Sequence, residues 1–145
     1  MPKKLSVNFR RPAALIINRV AFRDKKLVYV ARANKKFRYP WGRSRIVYFG
    51  TTKKGARRIA WSAAGKGADV LFNHGVKHLE LIVVVCGKTQ GIETWKKLER
   101  ALIIRFREKL GAPPKANATG RNMRWRDERN YFSDKKLDKI IDGLG

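Results

Sequence analysis

The stretch RIVYFGTTKKGARR, residues 45–58, passes from a β-branched and aromatic segment into a glycine, two threonines and a cluster of basic residues. Residues 46–49 have the composition of a β-strand, and Gly50 marks its end. Residues 56–64 then predict a short helix that carries two arginines near its start. A strand that ends on a tyrosine and a glycine, followed by a helix with arginines, is the arrangement around which the other elements are placed.

Four further segments complete the predicted order of elements. Residues 27–31 predict a strand, and residues 79–86 predict a third strand, which is apolar almost throughout and is therefore expected at the centre of the sheet. Residues 92–110 carry the strongest helical pattern and end before a glycine and two prolines. A last short helix is expected to begin at Ser133 or Asp134. The predicted order is strand, strand, helix, strand, helix, followed by this last short helix.

The charge of the chain indicates its partner. The 145 residues include 35 Lys and Arg against 11 Asp and Glu, which gives a net charge of +24. Self-repulsion at this charge destabilises a compact fold, and the bases run through the whole chain, so nucleic acid is the expected partner. A membrane is not expected, because no apolar stretch approaches the roughly 20 residues of a span. No secretory signal is apparent and Cys86 is the only cysteine, so we expect a cytoplasmic protein with a buried strand thiol.

The segment between the first two predicted strands, residues 32–45, interleaves bases with Phe37, Tyr39 and Trp41. Lysine and arginine would bind phosphates there while an aromatic ring stacks on bases or wedges between them. The alternative is a hairpin tip whose aromatic rings fold onto the core. Residues 120–132 repeat the pattern near the C-terminus. The candidate nucleic-acid contacts in the two segments are Lys35, Lys36, Arg38, Trp41, Arg43, Arg121, Arg124 and Arg126.

Glu99 occupies an unusual position in the long predicted helix. At 100° per residue, Trp95, Leu98 and Ile103 lie on one apolar face, and Glu99 falls inside that face. Burying an ionised carboxylate costs several kcal/mol unless the carboxylate is paired or binds a metal. Two explanations stay open: an ion pair with one of the many arginines, or a functional role as a metal ligand or general acid.

Taken together, these segments resemble the GIY-YIG nuclease family over roughly residues 27–119. The strongest part of the resemblance is VYFGTTKKGARR, in which Arg58 follows Tyr48 by ten residues. The segment PPKAN stands in the place of the family's late asparagine segment. The other matching positions are Tyr29 on the first strand, Glu99 on the helix after the third strand, and Asn117 in PPKAN.

Two departures from the family pattern concern the general base. The first motif, Leu27-Val28-Tyr29, keeps only the tyrosine, and Ser62 stands where many members carry a histidine. The identity of the general base therefore stays open. The candidates are Tyr29, Tyr48, Lys53, Lys54, and His74 or His78 from the following loop.

The resemblance implies an α+β fold, with a small three-stranded antiparallel sheet flanked by helices, and phosphodiester hydrolysis with one Mg²⁺ or Mn²⁺ per active site. Glu99 would hold the metal, and Arg58 would bind the non-bridging phosphate oxygens. A tyrosine whose pKa is lowered by nearby cations would activate the attacking water, and Gly50 would let the scissile strand approach. The implied catalytic residues are Tyr29, Tyr48, Arg58 and Glu99, and the further nucleic-acid contacts are Gly50, Lys53, Lys54, Arg57 and Asn117.

The chain then divides into a basic N-terminal extension (1–26), a nuclease-like domain (27–119) and a basic C-terminal tail with a short helix (120–145). The implied function is a metal-dependent DNA endonuclease of restriction or mobile-element type, acting as a monomer or homodimer. A repair nuclease would share the site, and RNA stays open as the partner. The alternative is a non-catalytic nucleic-acid-binding protein, such as a ribosomal component bound to ribosomal RNA, with the same fold.

Overall fold

A three-stranded antiparallel sheet with helices packed against it organises the chain, which confirms the α+β class. The computed structural model describes residues 4–7, 26–53, 65, 69 and 73–145. The expected helix at 56–64 lies outside these residues. Among them, no helix is long and apolar enough to cross a membrane. The elements are β1 (Leu27–Tyr39), β2 (Gly42–Thr52), β3 (Leu79–Val84), a long helix (Thr94–Leu110), a short 3₁₀ helix (Glu128–Asn130) and a C-terminal helix (Asp134–Leu144).

β1 and β2 form a long hairpin with its turn at Pro40 and Trp41. Both strands are longer than the expected 27–31 and 46–49, and they include most of residues 32–45, which were expected to connect them. Phe37 and Tyr39 are buried and Arg38 between them is exposed, which is the two-residue period of a half-buried strand. The aromatic rings of Phe37 and Tyr39 therefore fold onto the core, as the alternative interpretation stated.

The order of the strands corrects a second expectation. The sheet runs β2-β1-β3, so the hairpin strand β1 is central and the apolar strand β3 is not. Val28 and Val30 of β1 are fully buried, whereas Leu81 and Val83 of β3 are half-buried. An apolar run indicates that a strand contacts other elements, but it does not indicate on how many sides the strand pairs.

Cys86 lies beyond β3 rather than inside it. The strand ends at Val84, and Cys86 is a half-buried free thiol, so the expected buried strand thiol is wrong. Its Sγ lies 3.6 Å from Oγ1 of Thr94, whose hydroxyl donates a hydrogen bond to the carbonyl oxygen of Gly87 at 2.8 Å. These contacts join the end of β3 to the start of the long helix.

The long helix packs its apolar face against the sheet. It begins at Thr94, two residues later than expected, and ends as expected at Leu110, where Gly111 adopts φ 84°. The ring of Phe106 meets the ring of Tyr39 edge-on at 5.0 Å. The Tyr39 hydroxyl donates to the carbonyl of Ile46 at 2.8 Å and accepts from the Lys115 N–H at 3.2 Å. Burial raises the pKa of Tyr39 to about 12, so this phenol stays neutral and keeps both hydrogen bonds.

Residues 120–145, the expected C-terminal segment with a short helix, pack onto the long helix. Leu137 and Ile141 of the C-terminal helix are buried in the main core, and Ser133 caps that helix by accepting from the Lys136 N–H at 3.3 Å. The polar face of the long helix binds this segment through charged groups. The shortest ion pairs are Lys97–Asp127 at 2.6 Å, Arg100–Glu128 at 2.7 Å, Arg105–Asp138 at 2.7 Å and Lys109–Asp142 at 2.9 Å.

Glu128 is the most buried acid of this C-terminal layer, with only 1% of its surface exposed. Its carboxylate accepts hydrogen bonds from Arg100 Nε at 2.7 Å and from the Arg126 N–H at 2.6 Å. Burial, the largest single effect, would raise the pKa of Glu128, but the hydrogen bonds from Arg100 and from the backbone together outweigh it and lower the pKa. Glu128 is therefore an ionised carboxylate whose charge is matched inside the fold.

Replacing Glu128 by glutamine should lower the free energy of unfolding by about 1–3 kcal/mol, because it leaves Arg100 without its charged partner. The folded-state pKa of Glu128 is lowered, so its contribution is present above the ordinary carboxyl pKa of about 4.3 and is lost as the pH falls through the folded-state value. The difference between wild type and Glu128→Gln in urea unfolding should therefore shrink below about pH 4.

The matched control is Glu80→Gln, which removes an exposed ion pair with Arg32 at 3.3 Å. Its cost should stay below about 1 kcal/mol, as for other surface pairs. Equal costs for the two glutamine variants, or a Glu128→Gln difference that stays constant down to pH 3, would contradict the described role of Glu128.

Candidate active site

Two tyrosines from neighbouring strands lie side by side on the sheet. The ring centroids of Tyr29 on β1 and Tyr48 on β2 are 5.8 Å apart at an angle of 42°. Their side chains are hydrogen-bonded to each other. Tyr29 is only 3% exposed, and with Leu27 it forms a second small core against which Tyr48, Leu81 and Val83 pack. The pairing register explains the meeting, since Tyr29 stands opposite Gly50 and Tyr48 is its diagonal neighbour.

Gly50 provides the space for both rings. A Cβ at residue 50 would lie 2.5 Å from the Tyr29 hydroxyl oxygen and 2.6 Å from Cε1 of Tyr48, far inside van der Waals contact. The expectation that Gly50 lets a nucleic-acid strand approach is corrected: Gly50 is buried, and the space beside it is filled by the two phenols. A larger residue there would displace the tyrosine pair.

Glu99 lies close enough to this pair for its charge to act on Tyr48. It sits on the long helix at the margin of the buried face, next to buried Leu98 and one turn after buried Trp95. Glu99 itself is half-buried, so it lies at the edge of the apolar stripe rather than inside it. The helix thus brings a carboxylate to the tyrosine pair of the sheet.

The pKa of Tyr48 is raised. Burial is the largest cause, the hydrogen bond with Tyr29 opposes it, and the negative charge of Glu99 raises the pKa further. The expectation that neighbouring cations lower a tyrosine pKa is therefore wrong for Tyr48 in this structure. Its phenol is neutral near pH 7, so it can orient a water molecule or a phosphate oxygen by hydrogen bonding. Neutralising Glu99 would remove one of the two effects that raise the Tyr48 pKa.

Asn117 fixes the strand that carries Tyr48. Its side-chain amide accepts from the Phe49 N–H at 3.0 Å and donates to the Phe49 carbonyl at 2.9 Å. The neighbouring Ala116 N–H donates to the Val47 carbonyl at 2.8 Å. Asn117 therefore pairs with the outer edge of β2 as a further strand would and positions that strand, while its expected contact with nucleic acid stays a prediction.

The donors near the tyrosine pair fit a hydrated magnesium-type ion better than zinc. Among the described residues, no group of three or more His, Cys, Asp or Glu is arranged to hold a metal. His74 packs edge-on against Phe37 at 5.7 Å, and His78 faces Glu80 at 3.9 Å. One carboxylate beside two phenols suits Mg²⁺ or Mn²⁺, which keep several waters and bind through one or two carboxylates together with phosphate oxygens. Glu99 is the residue that could hold such an ion.

The remaining predicted site residues fall into two groups. Lys54, Arg57 and Arg58 lie outside the described residues, so the arrangement of the arginines around the tyrosine pair stays a prediction. The predicted nucleic-acid contacts with exposed side chains are Lys35, Lys36, Arg38, Trp41, Arg43, Lys53, Arg121, Arg124 and Arg126.

Sequence reasoning missed the wall of the site formed by β3. Leu81 and Val83 pack against Tyr29 and hold its ring over Gly50. Their sequence shows only an apolar strand, and no local signal tells that its residues contact a tyrosine. The sequence also does not show that Gly50 leaves space for the tyrosine rings, because this depends on which residue lies opposite it in the neighbouring strand.

No family model, curated protein or solved structure matches this chain. The resemblance to the GIY-YIG family therefore depends on the residues and their arrangement alone.

Gly50→Ala should lower the free energy of unfolding by about 1–3 kcal/mol, because the added methyl group overlaps the two phenol rings. Gly87→Ala is the matched control, since no atom lies within 4 Å of a Cβ built there. In a double-mutant cycle, Gly50→Ala should cost less in a Tyr29→Ala background, with a coupling of about 0.5–3 kcal/mol. Strictly additive costs, measured by chemical unfolding, would contradict the packing of Tyr29 over Gly50.

Proposed function

We propose that this protein is a metal-dependent DNA endonuclease that hydrolyses phosphodiester bonds with a site of the GIY-YIG type. The observation that carries the proposal is the tyrosine pair, Tyr29 and Tyr48, packed over Gly50 with the Glu99 carboxylate within electrostatic reach. A half-buried acid beside two hydrogen-bonded phenols is an arrangement that packing alone does not require. It offers a ligand for a cation and donors for a water or phosphate oxygen in one place.

Each residue of the chain has a distinct role in this proposal. Glu99 would hold one Mg²⁺ or Mn²⁺, and such an ion would supply positive charge against the negative charge that develops on the phosphate. Tyr48, as a neutral phenol, orients the attacking water by accepting a hydrogen bond from it, and Tyr29 holds the Tyr48 hydroxyl through their mutual hydrogen bond. Arg58 binds the non-bridging oxygens. Asn117 keeps β2 in place through Phe49.

The distribution of charge supports a polyanionic substrate on the hairpin side of the molecule. Residues 26–53 contain no Asp or Glu. Four acids of the C-terminal layer pair with bases of the long helix and neutralise them. The bases of residues 26–53 are Lys26, Arg32, Lys35, Lys36, Arg38, Arg43, Arg45 and Lys53.

One such site cuts one strand, so a monomer would nick DNA and a homodimer would be needed for a double-strand break. An intracellular, cytoplasmic location follows from the proposed substrate. Whether the enzyme serves restriction, mobility or repair depends on its target sequence.

A second candidate is a non-catalytic nucleic-acid-binding protein, such as a component bound to ribosomal RNA. The observation that favours it is that burial raises the pKa of Tyr48, which leaves little phenolate to accept a proton near pH 7. In that case the tyrosine pair would be a packing feature, and the basic surface alone would carry the function.

Glu99→Gln should reduce metal-dependent nicking of supercoiled plasmid by at least about 100-fold, because the amide loses the charge that holds the cation. The matched control is Glu93→Gln, on the turn before the same helix, whose exposed carboxylate pairs with Lys96 at 2.6 Å. That control should keep nicking within about threefold of wild type.

Nicking should also require Mg²⁺ or Mn²⁺ and cease with a chelator. If wild type bound DNA and RNA but nicked neither with either ion, the endonuclease proposal would be wrong and the binding protein would remain. Equal nicking by wild type and Glu99→Gln would remove Glu99 from the mechanism.

A further inference from the structure

The turn between β1 and β2 presents an aromatic ring to solvent in a fixed position. Trp41 is 70% exposed, whereas Phe37 and Tyr39 of the same hairpin are buried. The backbone N–H of Trp41 donates to the Leu110 carbonyl, at the end of the long helix, at 3.1 Å. The helix end therefore braces the hairpin turn.

Gly111 shows how closely the indole lies against that helix end. A Cβ on Gly111 would stand 2.9 Å from Cδ2 of Trp41 and 2.8 Å from Cβ of Pro40. The indole thus rests on the backbone of Gly111 on one side, and its remaining surface faces solvent. A braced aromatic ring loses little conformational entropy when a partner stacks on it.

The charges around Trp41 indicate an anionic partner. Arg38 and Arg43 stand directly opposite each other in the hairpin, and both are exposed. Like charges directly opposite in an antiparallel pair are destabilising unless an anion screens them. Within the described part of the chain, no acid forms an ion pair with the exposed hairpin bases, in contrast to the bases of the long helix. These bases are Lys35, Lys36, Arg38, Arg43 and Arg45.

We propose that Trp41, with Arg38 and Arg43, binds one unpaired nucleotide of a nucleic acid, the base stacking on the indole and the flanking phosphates contacting the arginines. Stacking on the exposed face of the indole requires a base whose own face is exposed. Bases within a duplex are already stacked on their neighbours. A turn braced on a helix end also has no free tip to enter a duplex groove. Stacking platforms flanked by bases are the usual means of binding unpaired bases.

The position of this platform relative to the tyrosine pair sets a distance. Arg43 lies seven residues before Gly50 on β2, which corresponds to roughly 24 Å of strand. At 3.4 Å per nucleotide this spans roughly seven nucleotides. The preferred nucleic acid therefore carries its unpaired nucleotide within about seven nucleotides of the bond that is cut. This distance rests on the proposed function, but binding of the unpaired nucleotide does not.

The test compares binding of a blunt DNA duplex with the same duplex carrying a short single-stranded overhang, by fluorescence anisotropy in a chelator so that no cleavage occurs. Wild type should bind the overhang duplex about 5- to 100-fold more tightly, the range expected for stacking of one base. Trp41→Ala should reduce this ratio to about one, and Trp41→Phe should keep part of it.

Trp125→Ala is the matched control, because Trp125 is half-buried in the C-terminal layer with its Nε1 bonded to Glu108 at 2.6 Å. It should keep the wild-type ratio. The proposal is overturned if wild type binds both duplexes equally, or if Trp41→Ala weakens both to the same degree and so keeps the ratio. If the overhang duplex is still preferred in the binding assay while the separate nicking assay with Mg²⁺ or Mn²⁺ shows no cleavage, the proposed binding by Trp41 is supported and the endonuclease proposal is rejected.

Discussion

Two tyrosine rings share the space beside Gly50, and the rest of the candidate site is built on that packing. The register of the β1–β2 hairpin places Tyr29 opposite the glycine, and Asn117 holds the β2 backbone so that Tyr48 reaches the same place. The long helix then brings Glu99 to the pair. Because neither the rings nor the strands can shift without a clash or a lost hydrogen bond, the phenols are held in position before any substrate binds, as catalysis by orientation requires.

The acidic residues are distributed unevenly along the chain, and this distribution affects both the stability of the C-terminal layer and the charge of the hairpin. Most acids described here lie in the C-terminal layer or on the long helix, where they pair with bases and fix that layer to the core. Residues 26–53 contain none, so their bases keep a positive potential on the hairpin. Residues 26–53 also carry the tyrosine pair and Trp41, so eight of the bases and none of the acids lie in the segment that holds the candidate site. Packing of the core offsets the repulsion among these bases, and binding of a polyanion would reduce that repulsion.

Local patterns in the sequence were sufficient for the strand cores around Tyr29 and Tyr48 and for the long helix with its end at Leu110, whereas the antiparallel α+β class came from the family resemblance. They failed where the decisive contact lies far away in sequence. The many basic residues of 32–45 do not resemble a strand, and the alternation of buried and exposed residues becomes clear only from the core against which Phe37 and Tyr39 pack. The apolar run of β3 does not show on how many sides the strand pairs. The ion pairs that hold residues 120–145 on the long helix join positions about 30 residues apart, so no local pattern reveals them. Glu99 was found because a charge on an apolar helical face needs a reason, while the part of Gly50 depends on the residue opposite it.

The most direct measurement locates the binding site of a divalent cation. The four tyrosine rings are labelled with ¹³C, and their NMR signals are recorded as Mn²⁺ is added. Tyr39, in the core, and Tyr131, in the C-terminal layer, serve as internal references. If Glu99 and the tyrosine pair form one cation site, the signals of Tyr29 and Tyr48 should broaden first, while those of the two reference rings stay sharp. Broadening of Tyr131 at lower Mn²⁺ concentration, with Tyr29 and Tyr48 unaffected, would place the cation among the C-terminal acids and contradict the account.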